Sequence, residues 1–210
     1  MSKKETEKPI LADEVLGKSE AFVIKHKNTI VGAIVAIVVV VCGYLAYNTF
    51  ISEPKEAEAA KAIFKAEQYF ANGDFETALN GDGINAGLLQ VIEDNGGTDA
   101  ANMAYAYAGL CYAQQQNYDE AINYLEKYDG GDKLVSPMVK YALGNCYAQV
   151  GDEAQAAATL VKAAKKADNN LLSPAYLIQA GQIYEKLGKK SEALKVYTEI
   201  KTKYYGAMQS

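Results

Sequence analysis

Three stretches of this chain share one spacing. "NMAYAYAGLCYAQQQNYDEAINYLEKY" begins at Asn102, "PMVKYALGNCYAQVGDEAQAAATLVKA" at Pro137, and "PAYLIQAGQIYEKLGKKSEALKVYTEI" at Pro174. Each carries a glycine (Gly109, Gly144, Gly181) and, three residues on, a tyrosine (Tyr112, Tyr147, Tyr184). Nine residues later comes an alanine (Ala121, Ala156, Ala193), and four further on Leu125, Leu160 or Tyr197. The periods between glycines are 35 and 37 residues. A unit this short cannot bury its apolar face alone, so neighbouring units must stack on one another.

The spacing within each unit is helical. Tyr105, Ala108, Gly109 and Tyr112 fall at i, i+3, i+4 and i+7, on one helical face, and Ala121, Leu125 and Tyr128 do the same in a second helix. The glycines and alanines mark where two helices approach most closely, so a larger side chain there overpacks, at about 1–3 kcal/mol. Asn117, Gly151 and Gly188 are the expected turn residues between helices, tolerant of left-handed backbone. Gly130-Gly131 and Asn169-Asn170 end second helices, and Pro137 and Pro174 sit at the starts of first helices. The apparent chemistry of "GLCYAQQQNYDEAINYL" (Gly109 to Leu125) resolves into packing positions, with Asp119 and Glu120 exposed where a second helix begins.

An upstream segment, "AAKAIFKAEQYFANGDFETALNG", places Tyr69, Gly73-Asp74 and Ala78 in register, with Ala66 in the glycine position. Between it and the next unit lies an insertion, residues 81–101, in which "INAGLLQVIED" predicts one more short amphipathic helix. The insertion is either a spacer or one wall of a groove.

These residues resemble the tetratricopeptide repeat (TPR): a helix with a bulky residue, then Leu-Gly and Tyr, a turn, and a second helix carrying Ala and an aromatic. The expected fold is all-α, an α-solenoid of helix pairs with repeats near 59–80, 102–128, 137–167 and 174–204, the first degenerate. The resemblance implies a groove lined by the first helices. Carried onto this sequence, its lining is Met103, Ala106, Leu110 and Ala113; Met138, Tyr141, Asn145 and Ala148; and Ala175, Ile178, Gln182 and Glu185. Two methionines make such a surface adaptable. The version of the fold that grips a peptide C-terminus uses several Lys, Arg and Asn side chains; only Asn145 fits, so no such clamp is expected.

The N-terminal region follows a different rule. No charge occurs from Asn28 to Ser52, and residues 29–51 include twelve Val, Ile, Leu or Phe. Their insertion into a bilayer is favoured by about 4 to 7 kcal/mol, and about 20 apolar residues suffice to span. The run "IVVVV" would suit a strand, but the length does not. A cleaved signal would have a shorter apolar core. The expected organisation is a cytoplasmic tail (1–28), a transmembrane helix (29–51), a linker (52–58) and an external repeat domain (59–210). Lys18, Lys25 and Lys27 before the span, against Glu53, Lys55, Glu56 and Glu58 directly after it, place the N-terminus inside by a modest basic excess. Residues 10–27 form either a short amphipathic helix or a helical lead-in to the span.

Several chemistries are excluded by what is missing. Arginine is absent and the net charge is −5, which argues against nucleic acid. Cys42, Cys111 and Cys146 have neither CxxC nor zinc-ligand spacing. The one histidine, His26, lies between two lysines at the span, so a nucleophile–base pair has no usable base. A thiol enzyme built on Cys111 and Cys146 is a remote third reading. The sequence therefore predicts no enzyme, no cofactor, no metal, no small-molecule substrate and no nucleic acid.

Tail, single span and four irregular external repeats together resemble the YfgM-like ancillary subunits of the bacterial SecYEG translocon, in their Bacteroidetes-type form. "ALNGDG", "GGT" and "YAGLCY" carry the likeness. It implies a periplasmic TPR domain at the inner membrane that meets SecYEG and a membrane-anchored chaperone of the prolyl-isomerase class. A TPR adaptor of another envelope machine, in cell division or outer-membrane assembly, remains the alternative.

Overall fold

The computed structural model describes residues 23–204, which fall into two units dividing between Glu53 and Pro54. Residues 10–22 of the expected amphipathic segment lie outside the described residues.

The first unit contains helix α1 (Lys27–Tyr47) and a wider π-type turn of helix, Asn48–Ser52. Twenty-one residues rise about 31 Å, against about 30 Å for a bilayer core. No side chain of α1 is buried, and Val38, Val39, Val40 and Leu45 are all more than half exposed. This is a helix long and apolar enough to cross a membrane.

The second unit consists of α2 (Glu53–Ala71), α3 (Phe75–Asn80), α4 (Leu88–Asp94), α5 (Asp99–Gln114), α6 (Tyr118–Lys127), α7 (Val135–Gln149), α8 (Glu153–Ala167), α9 (Ser173–Lys186) and α10 (Lys190–Lys203). No strand occurs among the described residues, only an isolated bridge between Gly81 and Ala86. The helices pair as α2/α3, α5/α6, α7/α8 and α9/α10, with α4 inserted after the first pair.

The core is a chain of neighbouring clusters. Ile63, Leu79, Leu88 and Val91 join α2, α3 and α4 to Ala104 and Ala108 of α5. Leu125, Val139, Leu143 and Cys146 join α6 to α7, and Ala163, Leu177, Val196 and Ile200 join α8, α9 and α10. Contact only between neighbours is the hallmark of a solenoid. Inside the second, third and fourth pairs the repeat glycine of the first helix faces the residue sixteen positions later in the second. A Cβ on Gly144 would lie 2.9 Å from Leu160 Cγ, and one on Gly181 would press on the Tyr197 ring. Ala121, Ala156 and Ala193 are all buried beside these contacts.

The turns inside the pairs keep one register, with one correction to the expected residues. Gly73, Gly151 and Gly188 have φ of 79°, 85° and 71°. In the second pair the left-handed residue is Gln116, at φ 62°, while Asn117 has φ −89° and precedes α6. Asn117 therefore aligns with Asp74 and Asp152, which cap α3 and α8 by accepting from Thr77 N and Gln155 N. Likewise it is Asp168, at φ 45°, that ends α8 in the left-handed conformation, ahead of Asn169.

The insertion holds the first pair to the second through polar contacts. Asp82 accepts from Tyr69 Oη, Ile84 N, Asn85 N and Asn85 Nδ2, which holds its carboxyl well below the usual range, the backbone bond from Asn85 contributing most. At the other end of the insertion, Lys55 Nζ donates to Gly96 O at 3.0 Å. Glu56 accepts from Asp99 N at 2.7 Å and Ala100 N at 2.9 Å, capping α5 from outside it, while Thr98 Oγ1 accepts from Ala101 N. An anionic group at a helix N-terminus also answers the helix dipole.

Candidate interaction groove

The first helices α5, α7 and α9 enclose an apolar cavity of about 490 Å³, within the range of ligand pockets. From α5 come Met103, Ala106, Tyr107 and Leu110; from α7 come Val135, Met138, Val139, Tyr141, Ala142 and Asn145; from α9 comes Tyr176. None of these is charged. Helical spacing explains the set: Met103, Ala106 and Leu110, like Met138, Tyr141 and Asn145, recur at i, i+3 and i+7 on one face.

Two contacts fix the α7/α9 side. The rings of Tyr141 and Tyr176 stack, with centroids 4.4 Å apart and planes at 18°. One turn along, Gln179 Nε2 donates to Asn145 Oδ1. Tyr176 is only 5% exposed, and burial foremost, then Tyr141, pushes its phenol above the ordinary value. Burial and Glu67 do the same to Tyr107. Tyr107 and Tyr176 are thus neutral donors over the physiological range. Met138, 51% exposed, stands at the mouth.

Six of the twelve residues carried onto the groove from sequence meet around this cavity: Met103, Ala106, Leu110, Met138, Tyr141 and Asn145; Ala113, Ala148, Ala175 and Glu185 do not line it. Ile178 and Gln182 stand exposed on α9 and take no part in the lining. Tyr176 takes their place. It occupies the third position of its repeat, after Ala104 and Val139, and all three are buried. The growing size of that residue along the array was the signal: alanine stays inside the pair, whereas tyrosine reaches the neighbouring first helix.

Cys111 and Cys146 are free and buried. Burial pushes their thiols up to about 12 and about 11 respectively, the reverse of what a nucleophilic cysteine needs. No group of three or more His, Cys, Asp or Glu is placed to hold a metal among the described residues. A second cavity, also about 490 Å³, lies between α2 and α4 and is lined by Lys55, Glu58, Gln90 and Asp94 among others. Its walls are polar and mixed in charge.

Comparison with known proteins matches the same elements. Two family models, both described as tetratricopeptide repeat, match residues 103–128 and 174–201, the second and fourth helix pairs. No curated protein matches the chain. Among solved structures, it is similar to the nearly identical TPR-like repeats of a Podosopora anserina protein described as a kinesin light chain. That likeness has a TM-score of 0.55 and 14% identity, and covers 93% of this chain and 97% of the other; at that identity it speaks to the fold alone. The chain carries tetratricopeptide repeats in a TPR-like solenoid, the architecture of a protein–protein interaction scaffold, together with one apolar N-terminal helix long enough to cross a membrane.

Proposed function

We propose that this chain is a membrane-anchored TPR scaffold of the bacterial cell envelope, an ancillary subunit of the Sec translocon. In this reading α1 crosses the inner membrane with the N-terminus in the cytoplasm. The solenoid stands in the periplasm and holds a membrane-anchored chaperone of the prolyl-isomerase class near proteins emerging from SecYEG. The observation that carries it is the joining, in one chain, of an apolar helix with no buried side chain to a repeat array with an uncharged groove. The Lys18, Lys25 and Lys27 flank supports the orientation.

The groove residues Met103, Ala106, Leu110, Met138, Tyr141, Asn145 and Tyr176 are the proposed partner contacts. Their uncharged lining suits apolar segments of a protein partner better than a charged chain end. The test is purification of the tagged full chain in mild detergent, with photo-crosslinkers at positions 138 and 141. Recovery and crosslinking of translocon subunits supports the reading. Their absence, while a known translocon partner is recovered in parallel, overturns it. Crosslinks to cell-division or outer-membrane assembly subunits would move the same scaffold to another machine.

A further inference from the structure

The cavity between α5, α7 and α9 has an apolar rim on its α7 side and acids on its α5 side. Val135 and Met138 belong to the lining and are 36% and 51% exposed, and Leu134 beside them is 62% exposed. The residue four positions before Met103, Met138 and Ala175 is Asp99, Leu134 and Leu171 in turn. This row opens with an acid at α5 and continues with leucine in the two later pairs.

Two further acids flank α5. Glu67 of α2 lies against Tyr107 in the lining; burial and then Glu67 raise that phenol. Asp129 is held where α5 begins, because the side chain of Asn102 bonds both its C=O and its N–H. Asp99 and Asp129 are exposed and Glu67 is half-buried. None of the three joins the ion pairs formed among the described residues.

The nearby cations are engaged elsewhere. α5, α7 and α9 carry two lysines, Lys140 and Lys186. Lys186 pairs with Glu153, and Lys140 lies about 200° round α7 from Met138. Lys133, in the loop before α7, is close enough to Asp168 to lower its carboxyl, after Lys203 and Tyr204. Lys55 and Lys65 donate to Gly96 O and Gln68 Oε1, and Lys127 sits over the rings of Tyr105 and Tyr124. Lys61 lies about 120° round α2 from Glu67. The imbalance is that of the solenoid as a whole. Residues 54–129 hold thirteen acids and four lysines, a net −9, and residues 130–204 hold seven and eleven, a net +4. The groove straddles the boundary, and such a field orients a charged ligand as it arrives.

We infer that the groove binds a protein segment made of an apolar stretch with a lysine or arginine at one end. The apolar residues fill the cavity against Met103, Met138 and Tyr176, and the cation meets the acids that flank α5. The inference rests on the groove being the partner contact and is independent of which envelope machine supplies the partner.

The full chain in phosphatidylcholine nanodiscs is titrated with three fluorescein-labelled peptides. They share one apolar core of Leu and Phe and differ in a pair of Lys, Ser or Glu at one end; empty nanodiscs supply the background. At low salt the Lys peptide should bind about fivefold more tightly than the Ser peptide, the upper scale of an exposed ion pair, and the Glu peptide more weakly than either. Salt should erase the difference. Glu67→Gln with Asp99→Asn and Asp129→Asn should bring the Lys peptide down to the level of the Ser peptide, with circular dichroism as the folding control. A photo-crosslinker at position 138 should capture each peptide that binds. Equal affinities among peptides captured there, or a preference that the triple variant keeps, overturn this inference and leave the groove reading standing. Failure of all three peptides to bind overturns both, and a chain that then sediments as a dimer would name a second copy as the occupant.

Discussion

A Cβ built on Gly109 would stand 2.5 Å from Cγ of Leu125 and 3.0 Å from its backbone nitrogen. The two residues are sixteen apart in sequence and define how closely α5 and α6 pack. Leu125 is 2% exposed and has nowhere to retreat. Gly109→Ala should therefore destabilise the solenoid by about 1–2 kcal/mol, an overpacking penalty partly offset by alanine's better helix propensity. Gly144→Ala, facing Leu160 at 2.9 Å, should be milder. Urea titration of both variants checks the order, and equal midpoints would refute it. In a double-mutant cycle with Leu125→Ala the pair should couple rather than add.

Gln116 holds the left-handed position that Gly73, Gly151 and Gly188 hold in the other pairs. A side chain there is strained by about 1 kcal/mol. Gln116→Gly should raise stability by about 0.5–1 kcal/mol, less the extra entropy a glycine loses on folding. Gly151→Ala should lower it by a similar amount. Thermal melts of the two variants should shift in opposite directions.

Glu56 caps α5 across the 43 residues that separate it from Asp99. Glu56→Ala should cost about 0.5–1.5 kcal/mol, the usual value of a cap. Glu56→Gln should fall between, retaining one acceptor and losing the charge. Hydrogen exchange at Asp99 and Ala100 should rise in both variants; no change would mean the bond is not made in solution.

The two buried thiols make the fold sensitive to alkali. Their folded values, about 12 for Cys111 and about 11 for Cys146, lie above those of an unfolded thiol. The folded state therefore holds the proton more tightly. Their contribution is complete below about pH 8.5, the unfolded value, and is lost as pH rises through 9 to 12. Maleimide labelling at pH 7 should leave Cys111 and Cys146 unmodified until denaturant is added. Rapid labelling of either in the native protein would contradict their placement.

The groove separates two residues that sequence register treats alike. Leu110 lines the cavity and Ile178 does not. Leu110→Glu should weaken partner capture by about tenfold or more, because a carboxylate in an apolar groove loses hydration without gaining a partner. Ile178→Glu should leave capture within about twofold, the scale of a surface charge change. Crosslinking yield from position 138 reads both, with circular dichroism as the folding control. Equal losses would move the contact surface onto α9.

Periodicity determined much of this protein before any coordinate. Gly109, Gly144 and Gly181 with their tyrosines and alanines specify paired helices, because 3.6-residue spacing is local and survives translation along the chain. The uncharged run from Asn28 to Ser52 specifies a long apolar helix for the same reason. The sequence also brought forward six of the groove residues, since a helical face is a matter of register.

Tertiary structure decided what depends on contacts across the chain. Tyr176 enters the groove only because α9 packs on α7 closely enough for its ring to reach Tyr141. Glu56, which looks like a charge flanking the span, caps a helix that begins 43 residues later. Gln116 takes the left-handed turn because the geometry of α5 against α6 fixes the length of the connection, whichever residue falls there. Leu134 and Leu171 read as ordinary apolar residues beside Ser-Pro, and only the fold leaves them exposed while Ser136 and Ser173 are buried. Local spacing encodes the helices; the distances between helices, which no local rule contains, determine what those helices present to a partner.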